Sequence, residues 1–221
     1  MYRKTIQIYI AFIVCLIVNN FLTAQNLEEK IDKKVQKFLE SHKNSWHDLN
    51  VPGSDGKILY DIIIKNHYAK ALEIGTSTAR SGIWIAWALS KTGGKLITIE
   101  IDKDRYKEAL KNFEEAGLSD YIDARLADAH HLVKELEGPF DFVFSDADKD
   151  WYTNYFKDVY PKLEIGGCFT AHNISKYGSM LGTDEFFKYV KSLPDMETTL
   201  DTSGGGISIS YKRESDKIKK K

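Results

Sequence analysis

Two short polar segments contain the residue types that could carry a reaction. The first runs from Ser145 to Asp150 and holds three carboxylates and a lysine; the second is the pair His172 and Asn173. Asp146, His172 and Asn173 could surround one divalent cation, because carboxylate and amide oxygens are hard ligands and imidazole is a borderline one. Lys149 could accept a proton from a substrate hydroxyl. These residues predict a reaction centre.

Helix capping offers a simpler interpretation of part of the first segment. A carboxylate just before a helix commonly accepts hydrogen bonds from the first free backbone N–H groups, and Asp150 precedes a helix predicted to begin at Tyr152. Capping does not explain why Asp146, Lys149 and His172 fall at the ends of neighbouring predicted strands. We therefore predict Asp146, Lys149 and His172 as catalytic residues.

A second group of polar residues follows the first three predicted strands. Gly75 ends the first strand and lets the backbone approach a ligand closely. Hydroxyl side chains at the start of the next helix suit an anionic group. Glu100 ends the second strand and could accept both hydroxyls of a ribose. These features predict an adenosine-type cofactor, and the absence of a G-x-G-x-x-G motif disfavours NAD.

Alternating strands and helices must position these residues. The apolar pattern predicts buried strands separated by amphipathic helices, which implies a doubly wound α/β sheet covered on both faces. The sheet should be mostly parallel, with an antiparallel edge formed by the last two strands, near Glu197–Thr202 and Ile207–Tyr211. Active sites of open α/β sheets lie beyond the carboxyl ends of the strands. We expect one domain over residues 25–211.

The first 24 residues differ from the rest of the chain. Arg3 and Lys4 precede an apolar run from Ile8 to Val18, and a small residue, Ala24, follows, which is typical of a secretory signal peptide. The run is shorter than the roughly 20 apolar residues that a membrane-spanning helix needs. We predict export or a periplasmic location. Leu22 is unusual near a cleavage site, so an uncleaved membrane tether or a cytoplasmic location remains the alternative.

Composition excludes several classes of protein. With 221 residues, of which 43% are hydrophobic and 29% charged, the chain is neither disordered nor a disulfide scaffold. Its net charge of −1 combines an acidic body with a basic tail at residues 212–221, predicted to be a solvated terminus. A protein with an acidic body is not expected to bind nucleic acid, and contact with a membrane is expected only through an uncleaved N-terminal segment.

Five segments carry a family resemblance: LEIGTSTARS, TIEID, AGLSDYI, FDFVFSDADKDWY and PKLEIGGCFTAHN. From about Val51 to Tyr211 the chain resembles the class I S-adenosylmethionine-dependent O-methyltransferases of the catechol and caffeoyl-CoA type. The resemblance implies a Rossmann-like sheet, S-adenosylmethionine as cofactor, a small aromatic acceptor and a homodimer.

The resemblance also implies roles for single residues. The cofactor would be held by residues at the strand ends: Glu73, Gly75, Thr76, Ser81, Glu100, Asp128, Ala129 and Asp146. Asp146 and Asn173 match metal ligands of the family, with His172 where the family has its second aspartate. Lys149 matches the lysine near the reacting hydroxyl, and Trp151 and Tyr152 are candidates for stacking on an aromatic acceptor.

Two departures from the family pattern leave alternatives open. Ala79 stands where a second glycine is usual, which narrows the cofactor turn. His172 in place of an aspartate should weaken Mg²⁺ binding and favour Mn²⁺ or Zn²⁺. The equally weighted alternative is that no metal binds and His172 acts as a base.

Alternative functions are a non-catalytic protein that binds an adenosyl ligand and, less favoured, an NAD(P)-dependent oxidoreductase. The lead helix and the loop Tyr177–Thr183 are expected to shape the acceptor pocket.

Overall fold

A seven-stranded sheet forms the centre of the chain in the computed structural model, which describes residues 23, 25–46, 49–175 and 182–215. The strands are β1 Lys70–Ile74, β2 Lys95–Glu100, β3 Ile122–Leu126, β4 Phe140–Ser145, β5 Leu163–His172, β6 Met196–Asp201 and β7 Ile207–Lys212. The helices are α1 over residues 25–41, α2 Gly53–Asn66, α3 Arg80–Thr92, α4 Lys103–Ala116, α5 Ala129–Glu135, α6 Tyr152–Val159 and α7 Thr183–Ser192.

The strand order confirms the predicted doubly wound α/β sheet. The order is β3-β2-β1-β4-β5-β7-β6, in which the first five strands are parallel and β7 and β6 run antiparallel at the edge. Strand β1 pairs with β2 on one side and with β4 on the other, so the chain reverses its winding direction there. The carboxyl ends of β1 and β4 therefore border a crevice.

The two faces of the sheet build two separate hydrophobic cores. Along β4, Phe142 and Phe144 point into the core that packs against α2 and α3, whereas Val143 points into the core on the opposite face. This alternation follows from the two-residue period of a strand. Because both faces of the sheet are covered, the sequences of the parallel strands are nearly continuous runs of apolar residues.

Most predicted element boundaries agree with the structure, and the differences have local causes. Helix α4 begins after Asp102, whose carboxylate accepts hydrogen bonds from the N–H groups of Asp104 and Arg105, both at 2.9 Å. The sequence predicts that the helix beginning at Tyr152 extends to Leu163, but α6 ends at Val159, where a 3₁₀ turn containing Pro161 follows. Proline has no N–H group, so it cannot continue the α-helical hydrogen bonding.

Two predictions concern segments that lie outside the described residues. These segments are the predicted signal segment, except Thr23, and most of the loop Tyr177–Thr183, so both predictions stay predictions. In the part of the chain that is described, no helix is both long and apolar enough to span a membrane. Lys212, the first residue of the predicted basic tail, belongs to β7, and its ammonium donates to the carbonyls of Tyr160 and Leu163, each at 2.8 Å.

Candidate functional site

A cleft of about 820 Å³ opens where the carboxyl ends of the five parallel strands meet. Each of these strand ends contributes to its wall: Gly75 after β1, Glu100 in β2, Asp128 after β3, Asp146 after β4 and His172 in β5. The volume lies within the usual range of small-molecule sites. The topology thus brings together residues that were predicted separately from strand ends.

Gly75 makes the tight turn that opens the cleft. Its φ of +98° lies in the left-handed region, and a Cβ atom there would come within 2.9 Å of the backbone nitrogen of Ala147. Ala79, which replaces an expected glycine, is fully buried and adopts a φ of +89°. The backbone of Ala79 is thus held in a left-handed conformation that glycine prefers, and for a residue with a side chain this costs on the order of 1–3 kcal/mol. Ala79 therefore adopts the kind of backbone conformation for which a glycine was expected.

Glu100 presents a buried carboxylate at the edge of this turn. One carboxylate oxygen accepts the N–H of Ser77 at 2.7 Å; the other accepts the N–H groups of Ile101 and Asp102 at 3.0 and 2.9 Å. These backbone donors fix the carboxylate in one orientation. A carboxylate offers about four acceptor positions, of which three are used here, so one remains for a ligand hydroxyl.

The third strand end supplies Asp128 and Ala129. The Asp128 carboxylate caps helix α5 by accepting the N–H of His130 at 2.8 Å, and both Asp128 and Ala129 line the cleft. His130 stacks on Trp151 with ring centroids 4.3 Å apart. His130 lines the cleft and Trp151 does not, so this part of the wall is formed by the imidazole ring.

Glu73 occupies a different place from the predicted one. It is absent from the cleft lining and lies fully buried beneath the turn, where its Oε2 accepts the hydroxyl of Thr98 at 2.6 Å. The Thr98 hydroxyl lies 2.5 Å from the hydroxyl of Thr76. Thr76 and Ser81 do line the cleft. Glu73 thus supports the cofactor turn through Thr98, and the prediction of direct ligand contact is corrected.

Burial raises the pKa of the Glu73 carboxyl to about 8. Because the folded-state pKa lies above the unfolded one, the group stabilises the protein most below about pH 4.5, and this contribution is lost as the pH rises through about 8. We expect the unfolding free energy of the wild type to fall by a few kcal/mol relative to Glu73→Gln between about pH 5 and pH 9. Urea denaturation at several pH values measures this. Glu108→Gln, on the exposed face of α4, is the control, and parallel pH curves for wild type and Glu73→Gln would contradict the prediction.

The predicted catalytic residues lie in contact with one another beside the turn after β1, where the Asp146 N–H donates to the Ile74 carbonyl oxygen at 2.9 Å. The Lys149 ammonium donates to Asp146 Oδ1 and, at 3.1 Å, to the Asp146 carbonyl oxygen. His172 Nδ1 lies 3.3 Å from Asp146 Oδ2. One carboxylate thus sits between a lysine and a histidine.

Asp55 is the partner of His172 that sequence reasoning missed. This carboxylate in the first turn of α2 is fully buried; its Oδ2 lies 2.7 Å from His172 Nε2 and accepts the N–H of Gly205 at 2.8 Å. A Cβ on Gly204 would lie 1.5 Å from Asp55 Oδ1, so the glycine run at residues 204–206 allows this approach. An acidic residue inside an apolar helix and a triple glycine were the available signals.

The charges around His172 decide its protonation. Burial alone would lower the pKa of His172, but the hydrogen bonds and charges of Asp146 and Asp55 outweigh burial and raise it to about 9. Burial likewise acts to raise the pKa of Asp55, and His172 together with the Gly205 N–H nevertheless lowers it. These two carboxylates favour the protonated imidazole, and both ring nitrogens face carboxylate oxygens, at 2.7 and 3.3 Å, so neither nitrogen is free to act as a base in this arrangement.

The donor atoms present do not fit a divalent cation as they are arranged. Both Asp146 oxygens face cationic nitrogens, and both ring nitrogens of His172 face carboxylates. Asn173 lines the cleft with a left-handed φ of +57°. Within the described part of the chain, no group of three or more His, Cys, Asp or Glu side chains could hold a metal ion. Of the predicted set, Asp146 and His172 are brought together as an ion pair, and Asn173 lines the same cleft.

Three further residues occupy positions relative to the cleft that the sequence did not indicate. Tyr152, a candidate for acceptor stacking, is fully buried and packs edge-on against Phe186, so that prediction was wrong. Leu49 and Asn50, just before α2, line the cleft instead. Asn50 is anchored to the cofactor turn, since its amide donates to the Thr78 hydroxyl at 2.7 Å.

The sheet order, the antiparallel edge pair and a switch-point cleft with an acidic residue at the end of β2 define a Rossmann-like methyltransferase fold. A family model described as O-methyltransferase matches residues 23–204. The chain belongs to this O-methyltransferase family.

Relatives and solved structures agree with this assignment. A catechol O-methyltransferase of Niastella koreensis is 36% identical over 137 residues, which cover 60% of this chain and 62% of that protein. Caffeoyl-CoA O-methyltransferase 1 of Eucalyptus globulus is 30% identical over 166 residues, covering 72% of this chain and 67% of that protein. An O-methyltransferase structure from Bacillus cereus, described as a complex with SAH, superposes with a TM-score of 0.71 at 25% identity, covering 82% of this chain and 91% of that one.

Proposed function

We propose that this chain transfers the methyl group of S-adenosylmethionine to a hydroxyl oxygen of a small aromatic acceptor. The observation that carries the proposal is the joint presence, in one cleft, of the Glu100 carboxylate and the Lys149–Asp146 pair. The Glu100 carboxylate suits the ribose of the cofactor, and the Lys149–Asp146 pair suits a reacting hydroxyl. Family membership and the SAH complex of the Bacillus cereus relative support the same chemistry.

Features of the turn after β1 fit an adenosyl ligand. A side chain at Gly75 would collide with the backbone of Ala147, and Ser77 lines the cleft with a buried hydroxyl that has no hydrogen-bond partner within the described residues. A buried polar atom without a partner is costly unless a ligand or water satisfies it. Ser77 and Glu100 are therefore the groups that would hold the cofactor here.

The residues of the cleft would act by binding, orientation and proton transfer. When bound, S-adenosylmethionine supplies its sulfonium methyl: the oxygen–carbon bond forms as the carbon–sulfur bond breaks, and sulfur keeps the electron pair. The acceptor hydroxyl gives its proton to Lys149 as the Lys149 ammonium passes one of its own protons to the Asp146 carboxylate, so the lysine keeps its charge and donates a hydrogen bond to the oxygen. Holding the reactants in line is worth up to about 10 kcal/mol of the barrier.

A transfer assay tests the function. The full chain is mixed with labelled S-adenosylmethionine and a panel of catechols, phenols and aliphatic diols, and we expect label in a phenolic or catecholic ether. Binding of S-adenosylmethionine by calorimetry without transfer to any acceptor would favour the non-catalytic alternative. Binding of NADH without binding of S-adenosylmethionine would favour an oxidoreductase.

Removing the charge of Glu100 should weaken cofactor binding. A hydrogen bond to a charged group contributes roughly 1.5–3 kcal/mol, so Glu100→Gln is expected to raise the Kd for S-adenosylhomocysteine by about 10- to 100-fold. Titration calorimetry measures the change. Asp104→Asn, an exposed carboxylate on α4 with 91% side-chain exposure, is the matched control and should bind like the wild type. Unchanged affinity in Glu100→Gln would remove Glu100 from the cofactor site.

Assembly and location complete the proposal. We expect a homodimer, as the family resemblance implies, and light scattering of the purified chain measures its mass. We expect residues 1–24 to direct export, and N-terminal sequencing of the chain from separated cell fractions tests this. A mature N-terminus at Gln25 supports cleavage.

A further inference from the structure

Four ionisable side chains from three parts of the chain form one continuous row beside the cleft. The row runs Asp55, His172, Asp146, Lys149, so that carboxylates and nitrogen-bearing side chains alternate. We propose that Lys149 and His172 occupy the place of a divalent metal ion on Asp146, so that the reaction proposed above needs no metal. The inference rests on the proposed function but concerns the chemistry of this row.

The hydrogen bonds of the row occupy the atoms that a metal would need. His172 would have to release either Asp55, at 2.7 Å, or Asp146, at 3.3 Å, before a ring nitrogen could donate a lone pair to a metal. Asp146 would likewise have to release Lys149 or His172. The side chains of Asp55 and His172 are 0% and 6% exposed, so water could not readily replace the lost contacts.

The contacts of Asp146 use both of its carboxylate oxygens. Oδ1 accepts from the Lys149 ammonium, and Oδ2 lies 3.3 Å from His172 Nδ1, so each oxygen already faces a nitrogen. A divalent cation at this place would also be repelled by the Lys149 ammonium. Lys149 has three N–H groups, of which two point to Asp146, and the third can donate to an acceptor oxygen in the cleft.

The backbone around Asp55 is shaped to hold the row in place. The Gly205 N–H donates to Asp55 Oδ2 at 2.8 Å, and Cβ atoms on Gly204 and Gly205 would meet Asp55 Oδ1 at 1.5 Å and His172 Nε2 at 2.6 Å. No residue with a side chain fits at either position without moving this pair. Asp55 is thus a positioning residue that fixes the imidazole from the side away from Asp146.

Direct metal binding provides the first test. The wild-type chain, stripped with a chelator, is titrated with Mn²⁺ by calorimetry and by electron paramagnetic resonance of the free ion. We expect no stoichiometric binding at millimolar Mn²⁺, and methyl transfer unchanged by the chelator. One Mn²⁺ per chain, lost in Asp146→Asn, would overturn the proposal, and so would loss of transfer on chelation that Mn²⁺ restores.

A rebuilt site provides the second test. His172→Asp combined with Asp55→Asn removes the imidazole and supplies a second carboxylate beside Asp146, so we expect Mn²⁺ affinity at least about tenfold above that of the wild type. His131→Asp is the control, since it makes the same change at an exposed histidine beside Asp128. Equal Mn²⁺ affinity in the rebuilt variant, the wild type and the control would count against the claim that His172 excludes the metal.

These measurements separate the inference from the proposed function. The Mn²⁺ titrations need no acceptor and no turnover, so they give a result even if the chain transfers no methyl group. Absence of transfer together with absence of cofactor binding would defeat the proposed function alone. Stoichiometric Mn²⁺ binding by an active wild type would defeat the inference alone.

Discussion

Replacing Lys149 by methionine is expected to lower kcat for methyl transfer by about 10²- to 10⁴-fold, the range for a lost acid–base group. Lys149 contacts Asp146 and lines the cleft, and its ammonium lies 5.2 Å from the Tyr152 ring centroid, which limits its movement. Methionine keeps much of the side-chain length but can neither donate to the acceptor oxygen nor share its proton. Single-turnover kinetics with labelled S-adenosylmethionine measure the effect.

Controls separate this catalytic loss from a loss of structure. Lys157→Met changes an exposed lysine on α6 and should leave the rate unchanged. The affinity of Lys149→Met for S-adenosylhomocysteine should stay close to the wild-type value, because the proposed cofactor contacts are made by Ser77 and Glu100 and not by Lys149. A normal rate in Lys149→Met would show that Lys149 takes no part in the reaction.

Replacing Asp55 by alanine is expected to lower the unfolding free energy by about 3–5 kcal/mol, the cost of breaking a buried ion pair from one side. The change leaves the His172 imidazolium without its 2.7 Å partner and removes the acceptor of the Gly205 N–H. Asp55→Asn keeps an acceptor oxygen and should be destabilised less. Urea denaturation followed by tryptophan fluorescence measures both.

A double-mutant cycle isolates the pair itself. If the ion pair carries the effect, Asp55→Ala in a His172→Ala background should cost clearly less than in the wild type, with a coupling energy of about 1–3 kcal/mol. A cost for Asp55→Ala below about 1 kcal/mol, or strict additivity of the two changes, would show that the pair does not stabilise the fold.

Much of the fold could be predicted from local pattern. The exact bounds of α4, β3 and β4 follow from signals within a few residues, such as the Asp102 cap and Gly117, which ends α4 with a φ of +76°. The convergence of Gly75, Glu100, Asp128, Asp146 and His172 also followed from sequence, because carboxyl ends of parallel strands share one edge of the sheet.

The errors concern side-chain environments. Glu73 was expected to touch the cofactor, but alternation along β1 turns it into the interior beneath Thr76. Tyr152 was expected in the cleft, but the start of α6 directs its ring against Phe186. Position relative to a strand end was predictable, whereas the direction of a side chain depends on how neighbouring elements pack.

The sequence by itself determined the sheet, its cleft and the residue types at each strand end, since periodicity, capping and glycine turns act over short stretches of chain. Only the tertiary structure decided what His172 does. Its partner Asp55 lies 117 positions away, and the docking of α2 and the glycine run at residues 204–206 bring the two together. The imidazole is then enclosed between two carboxylates, Asp55 and Asp146. The sequence could not show this, because it depends on contacts between segments that are distant along the chain.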